Sequence, residues 1–163
     1  MLFRSVVHIG PNCNYRFMRW VKNMRLTKLS DIVRVLKESH NIAVVGLSDD
    51  PYRPSNHISS YLIEAGYNVI PVNPTLKEVL GLSCYPSLLD IPGPVDMVDV
   101  FRNPAHVMPV VEDAIAKGIK VIWFQLGVIN EEAIDRAVEA GLDVVVNRCT
   151  AVEHARNLAA ITA

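Results

Sequence analysis

From Leu29 onward the chain alternates between two hydrophobic patterns: amphipathic stretches with a period of about 3.6 residues, and short, unbroken apolar runs. Leu29, Ile32, Val33 and Leu36 share one face of a predicted helix over Leu29–Ser39, with Ser30 and Asp31 suited to its first turn. Ile42–Leu47 is an apolar run, hence a strand. Ser55 is placed to cap a second helix with Ile58, Tyr61, Leu62 and Ala65 on one face, stopped by Gly66. Tyr67–Val72 predicts a second strand closed by Asn73-Pro74. A turn-rich stretch with a short helix at Pro86–Asp90 follows, then a third strand over Val95–Phe101. Asn103-Pro104 starts a helix in which Val107, Val110, Val111 and Ala114 recur at i, i+3, i+4 and i+7, ended by Gly118. Ile119–Gln125 and Leu142–Val146 are the fourth and fifth strands. Between them lies a helix capped by Asn130 and ended by Gly141, and Thr150–Ala160 forms the last helix.

Strands this short and this apolar must be covered on both faces. Their alternation with amphipathic helices predicts an α/β domain: a Rossmann-like, doubly wound, mostly parallel five-stranded sheet with helices on both faces. In such sheets, ligands bind beyond the carboxyl ends of the strands, where strand order reverses. That rule turns a fold into a set of residues.

Five strand ends follow. The first is Gly46-Leu47-Ser48, leading through Arg53 to Ser55 at a predicted helix start. Glycine permits close backbone approach, and the N–H groups and dipole of a helix start attract anions. The second is Val72-Asn73-Pro74. A dinucleotide site usually has an acid here for the ribose hydroxyls, so Asn73, together with the missing second and third glycines of G-x-G-x-x-G, argues against NAD. A plain strand-ending turn is an equal reading of Asn73-Pro74. The third and fourth ends supply Phe101, Arg102, Gln125 and Gly127, and the fifth supplies Asn147 and Cys149. Thr150-Ala-Val-Glu153 fits a capping box, which makes Glu153 structural. Asp96 and Asp99, three apart, fall on opposite faces of the third strand.

Composition narrows the partners. Sixteen Lys and Arg against seventeen Asp and Glu give a net charge of −1, so any anion site is local and no broad nucleic-acid surface is expected. No apolar stretch nears the ~20 residues that span a bilayer. Cys13, Cys84 and Cys149 are odd in number and widely spaced, which suits a reducing cytoplasm rather than a disulfide framework or zinc site. The histidines lack metal spacing; His57 alone falls near the predicted crevice. No G-x-S-x-G, G-x-x-x-x-G-K or H-E-x-x-H motif is present, so neither catalytic residues nor a metal are expected. Met1–Lys28 stands apart, with six cations and no acid. It reads as a basic extension, either a targeting segment or translation from an upstream start with Met18 or Met24 as the true one. The domain proper is taken as residues 29–163.

The ordered segments VVGLSDDPYRPSNHISSYLIEAGYNVIPVNP, VDMVDVFRNP, GIKVIWFQLGVINEEA and GLDVVVNRC resemble the stand-alone coenzyme A-binding proteins. These in turn are similar to the N-terminal domain of the succinyl-CoA synthetase alpha subunit. The resemblance runs from about Ile42 to about Glu153. It implies that Gly46, Ser48, Arg53 and Ser55 hold phosphates and that Val72, Asn73 and Pro74 pack against adenosine. It also implies that Phe101, Arg102, Gln125, Gly127, Asn147 and Cys149 line the remaining crevice, with Lys77 near a phosphate-binding lysine of the ligase domain. The synthetase works with a second domain bearing a phosphohistidine and with a beta subunit, so ligation is not expected of 163 residues. The expectation is a module that binds CoA or acyl-CoA without established catalysis. The alternatives are a small NAD(P)-dependent oxidoreductase, a CoA-dependent transferase, or a regulatory subunit that docks on a protein partner or on its own copy.

Overall fold

The structure, a computed structural model, describes residues 25–163. The readings made of the basic segment up to residue 24, with Cys13 and His8, lie outside the described residues. Five parallel strands form one sheet in the order β2-β1-β5-β6-β7, where β1 is Asn41–Val45, β2 Asn68–Val72, β5 Met97–Val100, β6 Val121–Phe124 and β7 Asp143–Val146. The predicted sheet is present, with strands one to three residues shorter than their apolar runs. Ladder pairing stops at Val45, Val100 and Phe124, and the flanking residues become loop. Chain order reverses between β1 and β5, which places the switch point at the loops after those two strands.

Side chains alternate across the sheet. Ala43, Val45, Val98, Val100, Ile122 and Phe124 join one core with helices α3 (Met108–Lys117) and α4 (Glu131–Glu139). Ile42, Val44, Met97 and Trp123 join the other, with α1 (Leu29–Glu38) and α2 (Pro54–Glu64). α5 (Thr150–Arg156) and α6 (Leu158–Thr162) complete that second face.

Several local expectations are corrected. Ser55 is not the cap of α2. Arg53 holds the N-cap position, because the residue before a proline is driven extended and Pro54 suits the first helical turn. Asn103 caps a short 3-10 turn, Pro104–His106, and α3 starts only after Val107. The capping box at Thr150 does not form: Cys149 is the N-cap, and Glu153 pairs with Arg148 at 3.0 Å. The final helix breaks at Asn157 into α5 and α6. The short helix within Pro86–Asp90 is a 3-10 turn at Leu88–Asp90, and the turn-rich stretch before it holds a small hairpin, β3 (Glu78–Val79) with β4 (Leu82–Ser83). Part of the basic segment also belongs to the packed domain. The Leu26 N–H donates to the Val144 carbonyl at the β7 edge (2.7 Å), and its side chain is buried. Arg25 pairs with Glu131 at 3.0 Å.

Candidate functional site

The two loops at the switch point touch. Gly46, which follows β1, has φ +89°, and a Cβ built there would lie 2.2 Å from the carbonyl oxygen of Phe101, which follows β5. Only glycine satisfies both conditions. Beyond Gly46 the loop is tied to itself. The Ser48 N–H donates to Ser55 Oγ (3.1 Å), the Asn56 side-chain amide donates to the Ser48 carbonyl (2.8 Å), and the Asp50 N–H donates to Ser48 Oγ (3.1 Å). Ser55 therefore closes the loop onto the helix. The sequence shows a hydroxyl near a helix start, which suggests an N-cap, but not which N–H that hydroxyl accepts from.

This engages some of the expected anion ligands. The Gly46 N–H is taken by the Val72 carbonyl (2.9 Å) and the Ser48 N–H by Ser55. The N–H groups of Leu47 and Ser55 have no acceptor among the described residues and stay open to a ligand. The Leu47 side chain itself is buried in the core, so it contributes backbone alone.

Two adjoining grooves meet at Gly46 and Arg102. One, of about 460 Å³, is lined by Ser48, Arg53, Ser55, Phe101 and Gln125, with an apolar wall from Ile58, Leu126 and Val128. The other, of about 290 Å³, runs past Val72 and Pro74 to Leu88, Val110 and Asp113. Burial, reinforced by the charge of Asp90, raises the Asp113 carboxyl above its usual range. Arg102 is exposed and makes no ion pair or hydrogen bond among the described residues. Arg53 is also exposed and only loosely paired, 3.9 Å from Asp50.

The other predicted residues fall into place differently. The Asn73 side chain ties the β2 end to the first loop, donating to the Leu47 carbonyl (3.0 Å) and accepting from the Thr75 N–H and hydroxyl. It supports the loop from behind rather than lining either groove. Gly127 and Asn147 hold each other, the Gly127 N–H donating to Asn147 Oδ1 at 2.9 Å. Asn147 and Cys149 line a third groove of about 530 Å³ with Arg25, Arg148 and Arg156, across a ridge formed by Leu126. Lys77 and His57 line none of the three. A separate groove of about 380 Å³ lies between α1, α2 and α6. There the Tyr61 hydroxyl meets His154 Nδ1 at 2.8 Å, and burial lowers the His154 pKa.

Sequence reasoning missed a buried polar cluster behind Gln125. Asp99 is fully buried on the α5 side of the sheet. Gln125 Nε2 donates to both Asp99 oxygens (2.8 and 3.0 Å) and to Thr150 Oγ1 (2.7 Å), and the Thr150 hydroxyl donates to Asp99 Oδ2 (2.9 Å). Burial pushes the Asp99 carboxyl up to about 7, against the pull of those two donors. The only signal in the sequence was an acid within an apolar strand, which names no partner. Among the described residues no cluster of His, Cys, Asp and Glu has metal-site form. No described helix is long and apolar enough to cross a membrane.

A parallel five-stranded sheet with two grooves meeting at its switch point places the chain among the Rossmann-like α/β domains. The chain belongs to the CoA-binding domain family, which residues 40–155 match. It is similar to the uncharacterized protein YneT of Bacillus subtilis strain 168, at 43% identity over 126 residues covering 77% of this chain and 93% of that one. It is also similar to a hypothetical protein from Pyrococcus horikoshii OT3, at 48% identity and TM-score 0.79, covering 83% and 99% of the two chains. Acetate–CoA ligase (ADP-forming) II of Archaeoglobus fulgidus is 40% identical over 83 residues, 49% of this chain but 12% of that enzyme.

Proposed function

We propose that this protein binds coenzyme A or an acyl-CoA along the two joined grooves, as a binding or regulatory module. The observation that carries the reading is the junction itself. Gly46 and the unpaired Arg102 stand where two grooves meet, and CoA is a long ligand with its phosphates between two arms. The phosphates lie against Arg102, Arg53 and the N–H groups of Leu47 and Ser55, where helix start and guanidinium charge act together. The adenosine part packs on Val72 and Pro74. The pantetheine arm follows the apolar wall of Ile58, Leu126 and Val128 toward Gln125.

NAD fits less well. The residue after β2 that would hold a ribose is Asn73, and its amide is engaged in the loop. The ligase relative shares only a small part of its length with this chain, so binding is the reading proposed. Calorimetric titration with CoA, acetyl-CoA, NAD and NADP tests it. CoA or acetyl-CoA is expected to bind and the dinucleotides to bind weakly or not at all. Tight NAD binding with none for CoA overturns the proposal.

A further inference from the structure

The buried cluster behind the cleft fixes which atom of Gln125 faces the ligand. Every hydrogen bond within it points toward Asp99: Gln125 Nε2 donates to the carboxylate and to Thr150 Oγ1, and the Thr150 hydroxyl donates to Asp99. An ionised carboxylate accepts hydrogen bonds and cannot donate them. Turning the Gln125 amide over would set its carbonyl oxygen against that carboxylate and leave a buried acid short of donors, an arrangement a low-dielectric interior penalises. The Gln125 Nε2 is thus held inward. Its Oε1 has no donor among the described residues, yet it is not one of the sealed, unpartnered polar atoms, which are Ser59 Oγ and Asp143 Oδ1. Gln125 lines the 460 Å³ groove, so its Oε1 opens there, next to the apolar Leu126 and Val128. In an otherwise apolar wall, one fixed acceptor selects a ligand that brings a donor to it.

We propose that Gln125 is a specificity-determining residue, fixed by Asp99 and Thr150 as positioning residues so that its carbonyl oxygen accepts a hydrogen bond from an N–H, O–H or S–H donor of the ligand. The inference rests on the CoA reading, in which the pantetheine arm carries all three kinds of donor, in its amides, its hydroxyl and its thiol.

The test is titration of wild type, Gln125→Leu and Asp99→Asn at pH 8.5, where Asp99 is ionised in the wild type. The probes are CoA, acetyl-CoA and 3′-phosphoadenosine diphosphate, which is the nucleotide of CoA without its arm. Gln125→Leu removes the acceptor. Asp99→Asn is isosteric and replaces the acceptor-only carboxylate by an amide that both donates and accepts, so the Gln125 amide is no longer held in one orientation, and it keeps the test usable where Gln125→Leu fails to fold. Both variants are expected to lose about tenfold in CoA affinity while nucleotide affinity is unchanged, a selectivity shift that general loosening of the fold would not produce. Equal losses for CoA and acetyl-CoA place the donor on the arm short of the thiol, at an amide N–H or the arm's hydroxyl; a loss confined to CoA identifies the thiol. Variants whose CoA affinity falls no further than their nucleotide affinity overturn this inference alone. A wild type that binds none of the three probes overturns the CoA reading and this inference with it.

Discussion

The loops after β1 and after β7 are built alike, but the arginines nearest their turns differ in how tightly they are paired. Each follows a parallel strand, turns at a residue of positive φ (Gly46 and Asn147) and enters a helix on the same face of the sheet. In the first, polar side chains bond within the loop, and the nearby guanidiniums of Arg53 and Arg102 remain loosely paired or unpaired. In the last, Arg148 is bound to Glu153 and to the Thr27 carbonyl, and Arg25 to Glu131. A cation already neutralised adds little to anion capture. An apolar strand ending in a turn and a helix therefore does not by itself make a site; in the proposed reading, the uncommitted charge beside the first loop distinguishes it.

The contrast can be broken most severely at the turns. Gly46→Ala adds a Cβ 2.2 Å from a backbone oxygen at φ +89°, and is expected to cost about 2–4 kcal/mol in urea unfolding. Asn147→Ala, at φ +56° with one lost bond to Gly127, should cost about 1–2 kcal/mol. Equal costs would show that the close approach of the Phe101 carbonyl does not matter.

The last loop also supplies Thr150 to Asp99, which gives stability a pH dependence. The folded-state pKa of Asp99, about 7, lies above its ordinary 3.8, so the folded chain binds this proton more tightly than the unfolded one. This contribution is fully present below pH 4 and is lost as pH rises to 7, with a slope approaching about 1.4 kcal/mol per pH unit, and is level above. Asp99→Asn should flatten that part of the profile between pH 4 and 7. An unchanged slope would reject the assignment.

Charge removal separates the loops by ligand rather than by stability. Arg102→Ala is expected to weaken CoA binding about tenfold. Arg148→Ala should leave CoA affinity within about twofold while lowering stability by about 1 kcal/mol, because Glu153 loses its partner. The smallest effect belongs to exposed Arg53. Arg53→Ala should weaken CoA binding a few-fold and reduce its salt dependence. Unchanged affinity at both low and high salt removes Arg53 from the site.

The family resemblance and the strand ends were legible in the sequence because a parallel α/β sheet writes itself into short-range pattern. Val44 and Trp123 needed no knowledge of each other to be read as strand residues. Gly46 was legible as a turn. That it also gives room to the Phe101 carbonyl was not, since the two are brought together by the crossover. Asn73 was readable as a departure from dinucleotide sites, yet its bond to the Leu47 carbonyl depends on β2 lying beside β1.

By itself, then, the order of apolar runs, helical faces, glycines and prolines determined the architecture and which end of the sheet would carry polar residues. Those patterns act between neighbours in the chain. Tertiary structure alone decided which strand ends share a cleft, which arginines remain unpaired, and that Asp99, Gln125 and Thr150 form one cluster. Asp99 and Gln125 are 26 residues apart, and Asp99 and Thr150 are 51. Only the stacking of β5, β6 and α5 brings them within hydrogen-bonding distance, and only burial there makes the direction of each bond matter.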